Sequence, residues 1–150
     1  MRAQILNRQQ GEERRAAPGQ VMISISTPGD KPASLQEGWE SVLRLQFHDV
    51  VEDHPDADTL VLFNDEMAAT VREFIRNHLG KGFVIHCDAG VSRSMAVGVF
   101  LRDVCKYKLQ VFSNDPTDHD RFANQFANAL VVRKLKEKVW REHLNAPTRS

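Results

Sequence analysis

Gly82–His86, GFVIH, is apolar on both faces. A strand with one face in water alternates apolar and polar residues, so a run without alternation must be covered from both sides, as in the middle of a parallel sheet. Parallel neighbours cannot be joined by a hairpin and need crossover connections, usually helices. This segment therefore predicts an α/β domain, and the rest of the chain supplies the parts. VMISIS (Val21–Ser26) alternates and is closed by the turn residues of TPGDKP. VLRLQF (Val42–Phe47) alternates again, with Leu43, Leu45 and Phe47 on one face and Asp49 continuing that face past the strand end. Phe63, Met67, Val71, Phe74 and Ile75 fall at helical spacing, with Asn64 as N-cap, Asp65 and Glu66 in the first turn and Gly80 to close the C-terminus. After GFVIH and a short loop, MAVGVFLRDVCKY is apolar enough for a largely buried helix, whereas KLQVFSNDPTDHD fits neither period. A last helix is predicted from about Phe122 to His143, with Phe122, Phe126, Ala129 and Leu130 on its apolar side and an increasingly basic second half. The expected architecture is one domain over residues 1–145, a central, mostly parallel sheet flanked by helices, with 146–150 as a flexible tail.

At 150 residues, a second independent core is not expected. Lys plus Arg and Asp plus Glu both number 20, so bulk charge argues for neither nucleic acid nor an anionic membrane as partner. The charges are nonetheless segregated. Leu45 to Glu66 holds seven carboxylates (Asp49, Glu52, Asp53, Asp56, Asp58, Asp65, Glu66) and no Lys or Arg, while Val131 to Ser150 has six basic residues against two acidic ones. Two cysteines, Cys87 and Cys105, make no disulfide framework, which points to a reducing, cytoplasmic setting. The opening MRAQILNRQQGEERR has no apolar signal core, and no run reaches membrane-spanning length. The six histidines show no paired metal-ligand spacing, so neither a metal nor another cofactor is expected, and a monomer suffices.

The strand GFVIH runs directly into Cys87, then Asp88, Ala89, Gly90, Val91, Ser92, Arg93 and Ser94, where the buried helix begins. Backbone N–H groups converge at such a strand–loop–helix junction, and the helix N-terminus adds its positive dipole end, so the junction suits an anion. Gly90 lets the loop bend with its amides inward. A cysteine in that field is favoured as the thiolate, the nucleophilic form. Arg93 can return its planar fork to the same pocket and grip two oxygens of a tetrahedral anion. Ser94 can donate to the sulfur when the sulfur leaves. The set suits attack of sulfur on phosphorus.

HCDAGVSRS resembles the His-Cys-x-x-Gly-x-Ser-Arg-Ser signature of the cysteine-dependent protein tyrosine and dual-specificity phosphatases, in particular the small tyrosine-phosphatase-like proteins of bacteria and their phages. ISISTPGD, GWESVLRLQFHDV and the helix before VIHC follow the family's order, so the likeness spans roughly residues 20–105. It implies a phosphatase-type fold of the dual-specificity kind and metal-independent hydrolysis of phosphotyrosine, with phosphoserine or phosphothreonine as further targets, through a phosphocysteine. It implies Cys87 as nucleophile, Arg93 and the loop from Asp88 to Ser92 as the phosphate cradle, and His86 as a residue that orders the loop. The family's general acid is an Asp on a loop upstream of the cysteine; Asp49 fits best here, with Asp53, Asp56 and Asp58 as alternatives. Low-molecular-weight tyrosine phosphatases place an Asp-Pro acid downstream, but their cysteine loop lies near the N-terminus, and Asp115-Pro116 reads as a turn. Asn124 weakly resembles an Asn that supports the site in dual-specificity phosphatases. Cys105 reads as core packing, with a disulfide partnership to Cys87 as the sharper alternative. The loop carries an acid and no base, which disfavours polyanions such as phosphoinositides or an RNA 5′-triphosphate and suits a phosphoprotein or phosphopeptide. A phosphate-binding module without useful turnover is the competing expectation, with a phosphoinositide or RNA 5′-phosphatase as another.

Overall fold

The segment GFVIH forms β4 (Gly82–His86), the middle strand of a five-stranded sheet; the structure, a computed structural model, describes residues 1–137. Its companions are β1 (Arg2–Leu6), β2 (Gln20–Ser26), β3 (Val42–Gln46) and β5 (Lys108–Val111), in the order β3-β2-β4-β1-β5. All four pairings are parallel, and Ile5, Ile85 and Ile23 line up across the three inner strands. The described residues also form five α-helices, α1 (Arg8–Glu13), α2 (Asp65–Asn77), α3 (Arg93–Cys105), α4 (His119–Phe126) and α5 (Ala129–Lys136), and a single 3-10 turn at Ala57–Thr59.

The two-residue period of the strands sorts the side chains between two unequal layers. Ala3, Ile5, Val21, Ile23, Ile25, Phe83 and Ile85 enter the main core with Val71 and Ile75 of α2, Met95 and Phe100 of α3, Ala123 of α4 and Val131 and Leu135 of α5. Leu6, Met22 and Val84 point the other way and meet Leu35 and Trp39 of the β2–β3 connection. Each fully buried Ile, Leu or Phe in these layers contributes about 1.5–3 kcal/mol of transfer free energy, so the sheet is covered on both sides as GFVIH requires. Asn64 caps α2 by accepting from the Met67 N–H, and Asp118 and Asn128 cap α4 and α5 in the same way.

One expectation needs correction. The predicted long helix from Phe122 is broken: α4 ends at Phe126, Ala127 leaves helical geometry, and Asn128 starts α5 as a cap, while the stretch beyond 137 lies outside the described residues, as does the predicted tail. The break rotates the apolar face, so Phe126 is exposed and Ala123, Leu130, Val131 and Leu135 are buried. At the N-terminus, to which the sequence pattern assigns no element, β1 lies between β4 and β5 and is followed by α1, whose Asn7 and Gln10 form a reciprocal capping box. No helix among the described residues is long and apolar enough to cross a membrane.

Candidate active site

In a parallel sheet every strand delivers its C-terminal end to the same edge, where open α/β sheets place their ligand crevice. The residues that follow the five strands meet there around the loop after β4. Cys87 is 2% exposed, and its Sγ lies 3.0 Å from Ser94 Oγ at the start of α3. From β1, the Arg8 N–H donates to the Asp88 carbonyl at 3.1 Å. From β5, the Ser113 hydroxyl donates to the Gly90 carbonyl. The Ser92 carbonyl accepts from Ala96 N–H and from Asn128 N–H, at 3.0 and 3.1 Å. The loop's carbonyls are thus taken up from outside. Among the described residues, the backbone N–H groups of Ala89, Gly90, Val91, Ser92 and Arg93 have no protein acceptor. A trans peptide plane opposes its C=O and N–H, so tying Asp88 and Gly90 carbonyls outward turns the Ala89 and Val91 N–H groups inward.

Gly90 makes this bend possible. Its φ is +68°, and a Cβ there would come within 2.6 Å of both the Leu6 carbonyl oxygen and Ser113 Cβ. Only glycine satisfies both the backbone conformation and the approach to β1.

Arg93, 5% exposed, is held from two strands. Its Nη1 donates to the Phe47 carbonyl at 2.8 Å and to Thr27 Oγ1 at 3.1 Å, and its Nη2 donates to Asp88 Oδ2 at 2.9 Å. Its Nε is buried without a hydrogen-bond partner. Thr27 also donates to Asp88 Oδ2, at 2.7 Å. Burial works to raise the pKa of the Asp88 carboxyl, but the Thr27 hydroxyl, the Arg93 guanidinium and nearby Arg8 outweigh it and hold it below its ordinary value.

His86 lies on the opposite face of the sheet, fully buried. Its Nδ1 is 3.2 Å from the Cys87 carbonyl and its Nε2 is 2.6 Å from Ser24 Oγ. A carbonyl only accepts, so Nδ1 carries the proton, and burial pushes the imidazole below its ordinary pKa, leaving Nε2 to accept from the Ser24 hydroxyl. The ring therefore fixes the Cys87 backbone from behind.

Asp49 is the carboxylate of the acidic loop that reaches the cysteine loop. Its Oδ1 accepts from Ser92 Oγ at 2.6 Å and from Asn128 Nδ2 at 2.9 Å. Asp53, Asp56 and Asp58 make no side-chain bond to that loop among the described residues. No family model matches the chain, and no curated protein or solved structure does either. What the site can do has to be read from its own atoms.

The structure brings Cys87, Arg93, Ser94, Asp88–Ser92, His86 and Asp49 together at one sheet edge. It separates two others. Asn124 accepts from Arg102 Nη2 at 2.7 Å on the outer side of α3, so Asn128 is the asparagine at the loop. Cys105 ends α3, about 18 Å of helix from its start, which rules out a disulfide to Cys87 in this conformation; burial pushes its thiol up to about 11. Asp115 follows the turn at Ser113 and Asn114 with φ +42°, and among the described residues its side chain makes no bond to the cysteine loop. Thr27, Ser24, Ser113 and Asn128 were not singled out from sequence. Asn128 carried a signal as a polar residue before the apolar run ALVV, the mark of a helix start. Among the described residues, no group of three His, Cys, Asp or Glu could hold a metal ion.

The segregation of charge is partly internal. Glu52 pairs with Arg133, and Asp65 pairs with Lys134 at 2.8 Å, so α5 neutralises two of the seven carboxylates counted upstream.

Proposed function

We propose that this chain is a protein-tyrosine phosphatase of the dual-specificity type, hydrolysing phosphate monoesters in phosphoproteins or phosphopeptides through a phosphocysteine and without a metal. The observation that carries the reading is the run of five loop amides without a protein acceptor between Cys87 and Arg93, together with the buried, unpartnered Arg93 Nε. A buried donor without an acceptor, such as Arg93 Nε, is costly, and a tetrahedral oxyanion would supply acceptors for it and for the loop amides. The resemblance of HCDAGVSRS to the family signature supports the same reading.

In this mechanism Cys87 Sγ attacks phosphorus opposite the ester oxygen. The P–O bond breaks as the S–P bond forms, and Asp49 gives the leaving oxygen its proton. Oδ1 of Asp49 already takes two hydrogen bonds, so Oδ2 carries the transferred proton. The amides and Arg93 hold the three equatorial oxygens as charge builds on them. Water then attacks the phosphocysteine and yields a proton to Asp49. The S–P bond breaks, and Ser94 donates to the departing thiolate.

Turnover of p-nitrophenyl phosphate and of a phosphotyrosyl peptide tests the proposal. Wild-type turnover, its loss in Cys87→Ser, and retention of phosphate binding by that variant are the expected results. An inert wild type that still binds phosphate would make the chain a binding module. Preference for a phosphoinositide or an RNA 5′-triphosphate over the peptide would move the substrate class.

A further inference from the structure

The carboxylate of Asp88 is not needed for the hydrolysis just described, yet it sits inside the phosphate loop. Its Oδ2 accepts from both Arg93 Nη2 and Thr27 Oγ1, and Thr27 accepts from Arg93 Nη1, so the three side chains close a triangle. With the Phe47 carbonyl on Nη1 as well, both terminal nitrogens of Arg93 are engaged by protein, and Nε is the nitrogen left over. The triangle has two consequences. It fixes the plane of the guanidinium, so that the edge carrying Nε is the one free to meet an oxyanion. It also places a negative charge against the loop's own positive charge. Arg8, the other cation near Asp88, lies 3.5 Å from Glu12 and is itself compensated.

We propose that Asp88 is a positioning and specificity-setting residue of the phosphate site, orienting Arg93 and cancelling its charge, so that a single phosphoryl group is held by hydrogen-bond donors and a clustered polyanion is rejected. The inference rests on the phosphate-site reading above. Two unlike charges in contact nearly cancel at the range of a second phosphate, whereas hydrogen bonds to the first act only at contact. A lone phosphoryl group therefore finds its donors, and further negative charges find no excess of positive potential.

Asp88→Asn keeps an acceptor for Arg93 and Thr27 and removes only the charge. Inorganic phosphate and pyrophosphate serve as competitive inhibitors of p-nitrophenyl phosphate turnover. In the wild type, pyrophosphate is expected to inhibit no better than phosphate. In Asp88→Asn, the Ki of phosphate is expected to fall at least about fivefold, and that of pyrophosphate by a larger factor. Thr27→Val loosens the triangle without changing its charge and is expected to leave the ratio of the two constants at its wild-type value. An unchanged or higher phosphate Ki in Asp88→Asn, or an equal shift of the ratio in Thr27→Val, would overturn the proposal. If Asp88→Asn does not fold, Asp88→Ala removes the charge and the acceptor together, and the ratio of the two constants is still expected to shift in favour of pyrophosphate, an unchanged ratio overturning the proposal. Calorimetric titration of both anions into Cys87→Ser, with and without Asp88→Asn, reads binding without turnover. An inert wild type would therefore defeat the hydrolase reading while this comparison still decided the role of Asp88.

Discussion

Replacing Gly11 by alanine sets helix propensity against packing behind the cysteine loop. Gly11 lies inside α1, where alanine is the better helix former by about 0.5–1 kcal/mol. On propensity alone, Gly11→Ala stabilises the fold. The structure predicts the opposite sign. A Cβ on residue 11 would stand 2.8 Å from His86 Cγ, 2.9 Å from Cδ2 and 3.1 Å from Cβ. The ring cannot swing aside, because it is fully buried and held by Ser24 and by the Cys87 carbonyl. Overpacking of this kind costs about 1–3 kcal/mol, and a displaced ring would forfeit a buried hydrogen bond worth about 1 kcal/mol. The expected net loss is about 2 kcal/mol, measured by urea denaturation as a lower midpoint at unchanged slope. A double-mutant cycle isolates the cause. In a His86→Ala background the two closest contacts are gone and only the 3.1 Å contact with Cβ remains, so Gly11→Ala should become close to neutral, a coupling of about 2 kcal/mol. If Gly11→Ala alone stabilises the protein by its propensity gain, α1 does not press on His86 and the account of how the cysteine is braced is wrong.

Three further outcomes are expected. Asp49→Asn lowers kcat about 10²-fold or more on phosphotyrosyl peptide, whose leaving group needs a proton, and far less on p-nitrophenyl phosphate; equal effects on both would remove Asp49 as the acid. Asn128→Ala removes the cap of α5 together with the bonds to Asp49 and the Val50 carbonyl, so it should cost about 1–2 kcal/mol in denaturation and lower kcat more than it changes KM. Because burial depresses the pKa of His86, the unfolded chain takes up a proton there before the folded one does, and stability falls as pH drops below about 6.5; His86→Gln should abolish that slope in pH-dependent melts, whereas the depressed Asp88 carboxyl acts in a separate window below its ordinary 3.8.

Most of the architecture was legible because it depends on local periodicity. The unalternating GFVIH announced a covered central strand, and VLRLQF announced a strand with Leu43, Leu45 and Phe47 on one face; Leu45 and Phe47 are indeed buried and Arg44 and Gln46 exposed. Asn64 was found as a cap because its bond to Met67 spans three residues. What escaped depends on partners distant in sequence. RAQIL is as short as GFVIH but carries Arg2 and Gln4 and lacks its unbroken apolar run, and it is a strand because β4 and β5 flank it. The break at Asn128 gave a capping signal that the longer apolar pattern overrode. At the site, the linear motif located Cys87, Arg93 and Ser94, which neighbouring turns of chain bring together. Thr27 and Asn128 enter only because parallel strands end at one edge and α5 folds back over it. No spacing in the sequence encodes that meeting.

The placement of β1 also dictates an order of assembly. Ala3 pairs with Phe83 and Leu109, 80 and 106 positions further along, so the sheet cannot close until most of the polypeptide exists. Contacts of such long range slow folding, because loop entropy is spent before they form. The Leu6 carbonyl and the Arg8 amide, which pack against or bond to the cysteine loop, arrive with that strand. An N-terminally trimmed chain would hold the signature residues without their brace, since the first few residues supply contacts that nothing near the signature in sequence can replace.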